Sequence, residues 1–213
     1  MNPGGETTPV SEDIIDSRDQ LYRFHGGLVL PGHREAVAAR AVHTAGIPPQ
    51  LVLPLKQHIG EPAECLVSPG DRVLKGQMIA APRGSISMPV HASSSGIVIA
   101  VEDRPVPHPS GLTAPCIIIE TDGENEWEEE STPFADVHQV TVDRLLKRIR
   151  AAGIVGLGGA GFPTQAKLAH RTPDGVELLV INGVECEPYI CCDNRLMQER
   201  AGGTQDLQRF YRR

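Results

Sequence analysis

The β-rich part of the chain is built around two adjacent segments, GDRVLKGQMIA at residues 70–80 and SMPVHASSSGIVIAVE at residues 87–102. Each opens with a turn and continues with alternating apolar residues, the period of a half-buried strand. Similar short apolar runs recur across residues 51–121, separated by turns such as Pro69-Gly70-Asp71. Short strands at this spacing predict a small β-sandwich or barrel over residues 51–121.

The two segments resemble the halves of the barrel-sandwich hybrid found in biotinyl and lipoyl carrier domains, through the pattern GD-x-V-x-x-G-Q. In such carriers, the hairpin between the halves presents the lysine to which the prosthetic group is attached. Here that hairpin is APRGSIS at residues 81–87, and the next lysine after Lys75 is Lys147. We therefore expect a lysine-less structural module. A biotin or lipoate carrier is the weaker alternative.

The composition excludes several classes of protein. The chain has 213 residues, 40% hydrophobic and 22% charged, which is typical of one ordinary domain or two small ones. A net charge of −7 and an aromatic content of 4% argue against a nucleic-acid partner. We find no secretory signal and no membrane-spanning apolar window, and expect the five cysteines to be reduced thiols.

Changes in composition divide the chain into four parts. Residues 1–50 are predicted to be an irregular N-terminal segment with one short helix near residues 35–42, and residues 51–121 to be the barrel module. Residues 122–138 are predicted to be an acidic linker, which we expect to be a solvated connector. Residues 139–213 are predicted to begin an α/β domain.

In this last part the apolar period becomes helical. The pattern predicts a helix over residues 141–152, with Thr141 as N-cap and Gly153 as the stop, and a second helix starting near Pro163. The run VELLVI at residues 176–181 predicts a buried parallel strand, and residues 194–201 a further helix. Because one strand cannot form a sheet, we expect this α/β domain to be incomplete.

The glycine-rich segment GLGGAGFPT, residues 156–164, is the first candidate site. Gly156, Gly158 and Gly161 fit G-x-G-x-x-G, but a helix precedes them where a dinucleotide-binding fold has a strand. Glycines still allow backbone N–H groups to approach a phosphate or a flat ring, and Lys167 can add a positive charge. The alternative is a tight turn that packs helix on strand.

The second candidate site is NGVECEPY at residues 182–189, directly after the predicted strand. The amide and two carboxylates of this segment can hydrogen-bond ring N–H groups or ribose hydroxyls, and the alternative is turn chemistry with a solvated acidic pair. Cys186, Cys191 and Cys192 do not have a zinc or iron–sulfur spacing. His58 and His91 are expected to be structural histidines rather than metal ligands.

Two longer segments carry a family resemblance: AGIVGLGGAGFPTQAKL at residues 152–168 and INGVECEPYICCDNRLM at residues 181–197. Together with FHGG at residues 24–27 and PLKQHIGEPAE at residues 54–64, they resemble the RnfC subunit of the Rnf ion-translocating electron transport complex. The resemblance covers most of residues 22–201. The glycine loop and the N-G-x-E-x-E-P pattern are also similar to the flavoprotein subunit of respiratory complex I.

The resemblance implies an electron-entry module, in which NADH passes a hydride to non-covalent FMN and 4Fe-4S clusters carry single electrons onward. Transferred to this sequence, glycines would line the flavin and nucleotide, Phe162 would contact the dinucleotide rings, and Lys167 would contact FMN. Asn182 and Glu185 would hold FMN, and Glu187 would lie on the nicotinamide side. The implied cofactor-binding set is Gly156, Gly158, Gly159, Gly161, Phe162, Lys167, Asn182, Glu185 and Glu187.

Family members continue into a complete α/β domain, a β-grasp-like domain and a ferredoxin-like region with two four-cysteine motifs. The present sequence has no such motif, so we expect an amino-terminal portion that binds FMN weakly or not at all alone and does not oxidise NADH. The resemblance further implies other complex subunits as partners and a peripheral position on the cytoplasmic side of the inner or plasma membrane. The alternative function is a non-catalytic scaffold that retains the barrel.

Overall fold

The computed structural model describes residues 31–108, 110–129, 134, 136, 139–157, 159–169, 183 and 185–200. Most of the described strands lie in the first half of this range, and most of the helices in the second. In chain order the elements are α1 (Glu35–Ala38), β1 (Gln50–Pro54), β2 (Glu64–Cys65), β3 (Arg72–Val73), β4 (Met78–Ala81), β5 (Val90–His91), β6 (Gly96–Pro105), β7 (Thr113–Thr121), α2 (Val142–Ala151), β8 (Val155–Gly156), β9 (Phe162–Pro163), α3 (Thr164–Leu168) and α4 (Cys192–Glu199).

The strands of residues 50–121 form two antiparallel sheets. The larger sheet has the order β1-β7-β6-β3, and the smaller sheet has the order β2-β4-β5. A bulge at residues 98–100 interrupts the pairing of β6 with β7, the two longest described strands. Bulges increase strand twist, which helps a small sheet to curl. The prediction of a small β module over residues 51–121 is thus confirmed at the level of two curled sheets.

The core of this module lies between the two sheets. Val73, Val98 and Ile117 from the larger sheet and Ile79 from the smaller sheet are fully buried, and all belong to one apolar cluster. Burial of such a side chain stabilises the folded state by about 1.5–3 kcal/mol. The alternating apolar residues of GDRVLKGQMIA therefore point where the sequence pattern predicts, with Val73 and Ile79 inward and Arg72 outward.

The acidic segment after β7 lies against the barrel. The backbone of Lys75 accepts a hydrogen bond from Glu128 and donates one to Glu126, at 2.9 and 2.8 Å, and the Lys75 ammonium lies 4.6 Å from the centroid of the Trp127 ring. Ser95 donates a hydrogen bond of 2.7 Å to the Asp122 carboxylate. Residues 122–128 thus differ from the expected solvated connector, because their backbone continues the edge of the barrel.

The helices after this segment begin close to their predicted positions. Helix α2 follows Thr141, whose side chain makes no capping hydrogen bond, and ends before Gly153, which has a φ of 68°. Helix α3 begins at Thr164, directly after Pro163. Helix α4 begins two residues before the predicted start at residue 194. The predicted strand at residues 176–181 lies outside the described residues.

The N-terminal helix is shorter than predicted. Helix α1 spans four residues where the sequence predicted a helix over residues 35–42. Among the described residues, no helix has the length and apolar character needed to cross a membrane.

Candidate functional site

The glycine-rich segment forms a β-hairpin. Strands β8 and β9 pair antiparallel, with Val155 opposite Pro163 and Gly156 opposite Phe162. The Thr164 N–H then donates to the Ile154 carbonyl at 3.1 Å, which leads the chain directly into α3. The segment is therefore a strand–turn–strand unit at the start of a helix, and it differs from the strand-to-helix turn of a dinucleotide-binding fold, as the sequence indicated.

Three of the predicted site residues meet at the base of this hairpin. The Lys167 ammonium lies 5.7 Å from the centroid of the Phe162 ring. A Cβ atom on Gly156 would lie 3.3 Å from the same ammonium nitrogen. Gly159 at the tip is exposed, and a Cβ there would meet no atom within 4 Å. The hairpin thus combines a cation at its base with open backbone at its tip. Gly158 lies outside the described residues.

Gly161 performs a different task, because it packs the hairpin against the barrel. It is buried with a φ of 62°, and a Cβ atom there would lie 2.7 Å from the Gln57 carbonyl oxygen and 2.9 Å from the His58 Cα. Only a residue without a side chain allows two backbones to approach so closely. The structure therefore gives Gly161 a packing role, and its contact with a cofactor stays a prediction.

The end of helix α2 also contacts the barrel. Arg150 donates a hydrogen bond to the Gly84 carbonyl, in the hairpin that carries the lysine in biotinyl and lipoyl carriers. A Cβ atom on Gly153 would lie 3.2 Å from the His91 imidazole and 3.4 Å from the Pro89 carbonyl oxygen. The hairpin at residues 81–87 is therefore held against α2, unlike a hairpin that must swing between active sites.

A cavity of about 230 Å³ lies at this contact between barrel and hairpin, and we call it the joint cavity. The described residues that line it include no acidic residue, lysine or arginine. The barrel residues lining it are Leu53, Gln57, His58, Met88, Pro89, Val90, His91 and Ser93, and the residues from the second half of the chain are Gly153, Val155 and Leu157.

The two histidines at the joint cavity are hydrogen-bonded to backbone groups. His58 is buried, with its Nδ1 3.0 Å from the Ile59 carbonyl oxygen and its Nε2 3.1 Å from the Met88 nitrogen. Nδ1 as donor and Nε2 as acceptor satisfy both contacts with one neutral tautomer. His58 is therefore a structural histidine, as predicted.

His91 is half-buried at the joint. Burial lowers the pKa of its imidazole below the ordinary value, against the opposing effects of a hydrogen bond to the Ala151 carbonyl and the Glu128 carboxylate. The imidazole is therefore neutral at pH 7, and it joins β5 of the barrel to the last turn of α2.

The second candidate site surrounds Glu185, which has a φ of 68°. Its carboxylate accepts a hydrogen bond of 2.9 Å from the Asn194 N–H in the first turn of α4, so it caps that helix. This contact explains why α4 begins earlier than predicted. Glu187 is exposed, and Asn182 lies outside the described residues.

The N-terminal segment packs against this second site. Arg34 donates a hydrogen bond of 2.8 Å to the Glu185 carbonyl oxygen, and the Tyr189 N–H donates one of the same length to Gly32. The ring of His33 stacks on Tyr189 with 4.9 Å between centroids. Sequence reasoning did not find Arg34, because contacts between residues 151 positions apart leave no local pattern.

The two candidate sites line different cavities in the described structure. A cavity of about 130 Å³, which we call the α4 cavity, lies beside Arg34, Gly183, Glu185 and Asn194. It shares no lining residue with the joint cavity. The convergence of the glycine segment and the acidic segment on one pocket therefore stays a prediction.

The cysteines near the α4 cavity are free thiols, as predicted. Cys186 and Cys192 are exposed, and Cys191 is half-buried. Within the part of the chain that the structure describes, no three His, Cys, Asp or Glu side chains are grouped to hold a metal ion.

Comparison with protein families divides the chain at the same place as the structure. Residues 22–124 match the family model for the RnfC barrel sandwich hybrid domain, and residues 149–203 match that for the Nuo51 FMN-binding domain. Fold and site thus define a class of protein in which a barrel-sandwich hybrid precedes an FMN-binding domain.

Curated relatives then identify the family. The RnfC subunit of the ion-translocating oxidoreductase complex of Pseudomonas aeruginosa is 50% identical over 181 residues, which are 85% of this chain and 23% of the relative. The proteins of the same name from Serratia proteamaculans and Pectobacterium carotovorum are 45% and 46% identical, over 90% and 86% of this chain and 27% and 24% of theirs. The chain belongs to this RnfC family, as predicted, and spans about a quarter of the length of these relatives.

Proposed function

We propose that this chain carries the FMN- and NADH-binding, electron-entry part of the RnfC subunit in a membrane-associated, ion-translocating electron transport complex. The observation that carries the proposal is the match of residues 149–203 to an FMN-binding domain, because those residues include the glycine hairpin with its exposed tip and basal lysine. The names of the curated relatives support the assignment to a complex with further subunits.

The described residues fit a flavin nucleotide. The backbone at Gly159 faces open space, so a ligand can approach it closely, and the Lys167 ammonium lies at the base of the same hairpin. A phosphate group suits the lysine, whereas an uncharged ring system suits the joint cavity. When bound, FMN supplies acceptance of a hydride and release of single electrons. The protein contributes orientation, hydrogen-bond donors and exclusion of water.

The proposed roles of individual residues follow this division. Gly156, Gly158 and Gly159 would line the flavin and nucleotide, and Phe162 would contact the dinucleotide rings. Lys167 would bind the FMN phosphate or the flavin edge.

The acidic segment would supply the remaining contacts, with Asn182 and Glu185 to FMN and Glu187 to the nicotinamide side. The Glu185 carboxylate caps α4, so Glu185 is proposed to act on FMN through the position of its backbone.

Electron transfer from NADH to 4Fe-4S clusters belongs to the same proposal. The five cysteines of this chain form no four-cysteine cluster motif, so the clusters would be held elsewhere in the complex. We further propose a peripheral position on the cytoplasmic side of the membrane, with attachment through partner subunits.

Titration of FMN with the protein tests the proposal, because bound flavin loses fluorescence against protein groups. We expect weak, saturable quenching. Lys167→Gln should weaken binding about tenfold, the loss of one charge-assisted hydrogen bond of about 1.5 kcal/mol. Lys147→Gln, which removes an exposed lysine from α2, is the matched control and should leave binding unchanged. A flat FMN titration would contradict the proposal.

A non-catalytic scaffold is the second candidate function. It is favoured by the hairpin at residues 81–87, which has no lysine and is held by Arg150 against α2. The module would then be a biotinyl/lipoyl-like barrel retained only to dock partners. A flat FMN titration would support the scaffold. Intact-mass measurement that shows no biotin or lipoate adduct would exclude the carrier function.

A further inference from the structure

We infer that the barrel is part of the flavin site, and that Met88, Val90 and His91 form one wall of a pocket for the flavin ring while Val155 and Leu157 form the other. This inference rests on the proposed function. It assigns a binding role to residues 22–124, which the family comparison describes only as a barrel domain.

The first support is that barrel and glycine hairpin are joined by contacts that leave no room for slack. A Cβ atom at Gly161 would lie 2.7 Å from a barrel carbonyl oxygen, and one at Gly153 would lie 3.2 Å from the His91 ring. Two backbones held this closely keep a fixed relation, since packed surfaces resist small displacements. The joint cavity is therefore a built feature of the fold.

The second support is the chemistry of the cavity walls. Apolar side chains such as Met88, Val90 and Val155 make up most of the lining, and the described lining residues include no acidic residue, lysine or arginine. Gln57 and His91 offer hydrogen-bonding groups at the edges. Ligand pockets that are mostly apolar with a few placed polar groups suit an uncharged, flat heterocycle with a polar edge.

The third support is size and position. Pockets for drug-sized ligands have volumes of about 300–1,000 Å³, so a cavity of 230 Å³ suits a ring system rather than a whole dinucleotide. Leu157, which is 90% exposed at this wall, would lose that exposure against a bound ring. The charged end of the same ligand would reach Lys167 at the base of the hairpin.

The methionines provide a direct readout, because the chain has only four. Met88 lines the joint cavity, Met197 lines the α4 cavity, and Met78 lies in β4. The protein would be labelled with ¹³C at the methionine methyl groups and titrated with FMN, with riboflavin, which has the ring but no phosphate, and with AMP. Single Met→Leu variants assign the signals.

We expect FMN and riboflavin to shift the Met88 methyl signal with saturation, and to leave Met78 and Met197 in place. A shift confined to Met197, or flavin quenching without any methyl shift, would overturn the inference while leaving FMN binding intact. A shift of Met88 by AMP but not by riboflavin would assign the cavity to an adenine ring and refute the flavin assignment. Neither quenching nor a shift would overturn both this inference and the proposed function.

A blocking variant gives an independent test. Ser93 is an exposed residue at the cavity, and Ser93→Phe should fill its mouth and weaken riboflavin binding at least tenfold. The control is Ser85→Phe, at an exposed position of the hairpin away from the cavity, which should bind riboflavin like the unmodified chain. Equal affinities of the two variants would contradict the inference.

Discussion

Replacing Gly161 by alanine should separate the glycine hairpin from the barrel. The new Cβ would lie 2.7 Å from the Gln57 carbonyl oxygen and 2.9 Å from the His58 Cα, and both of these atoms belong to the backbone. The residue also has a φ of 62°, a conformation that costs an alanine about 1–2 kcal/mol. Overpacking of a close contact costs about 1–3 kcal/mol more. The two effects add to a local destabilisation of about 2–5 kcal/mol.

Hydrogen exchange measured by mass spectrometry can locate this effect. Because 1.36 kcal/mol corresponds to a factor of ten, amides of residues 153–168 should exchange at least ~30-fold faster in Gly161→Ala. Gly111→Ala is the matched control, since Gly111 has a φ of 66° but a Cβ there would meet no atom within 4 Å. The control should lose at most about 1–2 kcal/mol in its own loop and nothing at residues 153–168.

Unchanged protection of residues 153–168 in Gly161→Ala would refute the reasoning, because it would mean that barrel and hairpin are not in contact in solution.

Three further predictions concern single side chains. Ile79→Ala should lower the free energy of unfolding of the barrel by about 2–5 kcal/mol in urea denaturation followed by Trp127 fluorescence, and a loss below about 1 kcal/mol would mean that Ile79 is not in the core. Because burial lowers the pKa of His91, its unfolded form binds the proton more readily, so stability should fall as the pH drops through about 6.5; His91→Gln should reduce this dependence and His108→Gln should not. Glu185→Ala should speed hydrogen exchange in α4 by the loss of a cap that contributes about 0.5–2 kcal/mol, whereas Glu187→Ala, at an exposed position, should have no effect there.

Local patterns in the sequence predicted much of the barrel and of the helix starts. Val73 and Ile79 alternate with polar neighbours, and this period determines which side chains enter the core. Gly153 marks the end of α2 because glycine readily adopts the positive φ that follows a helix. These features depend on residues within one turn or one strand of each other.

The parts that the sequence did not predict depend on distant contacts. Trp127 lies over Gly76, where a Cβ would come within 3.1 Å of its ring, so an acidic segment that looked like a free connector is held on the barrel. The hydrogen bond of Arg34 to residue 185 and that of Arg150 to Gly84 likewise join remote segments. Charge and glycine content alone do not distinguish a solvated segment from one that is docked.

The structure of the chain with riboflavin bound, determined by crystallography or by NMR, tests the shared pocket of barrel and hairpin most directly. We expect the isoalloxazine ring to lie between the Met88 side chain and Leu157, with its polar edge at His91. A ring bound beside Gly183 and Asn194, or one in contact with the hairpin alone, would contradict the shared pocket.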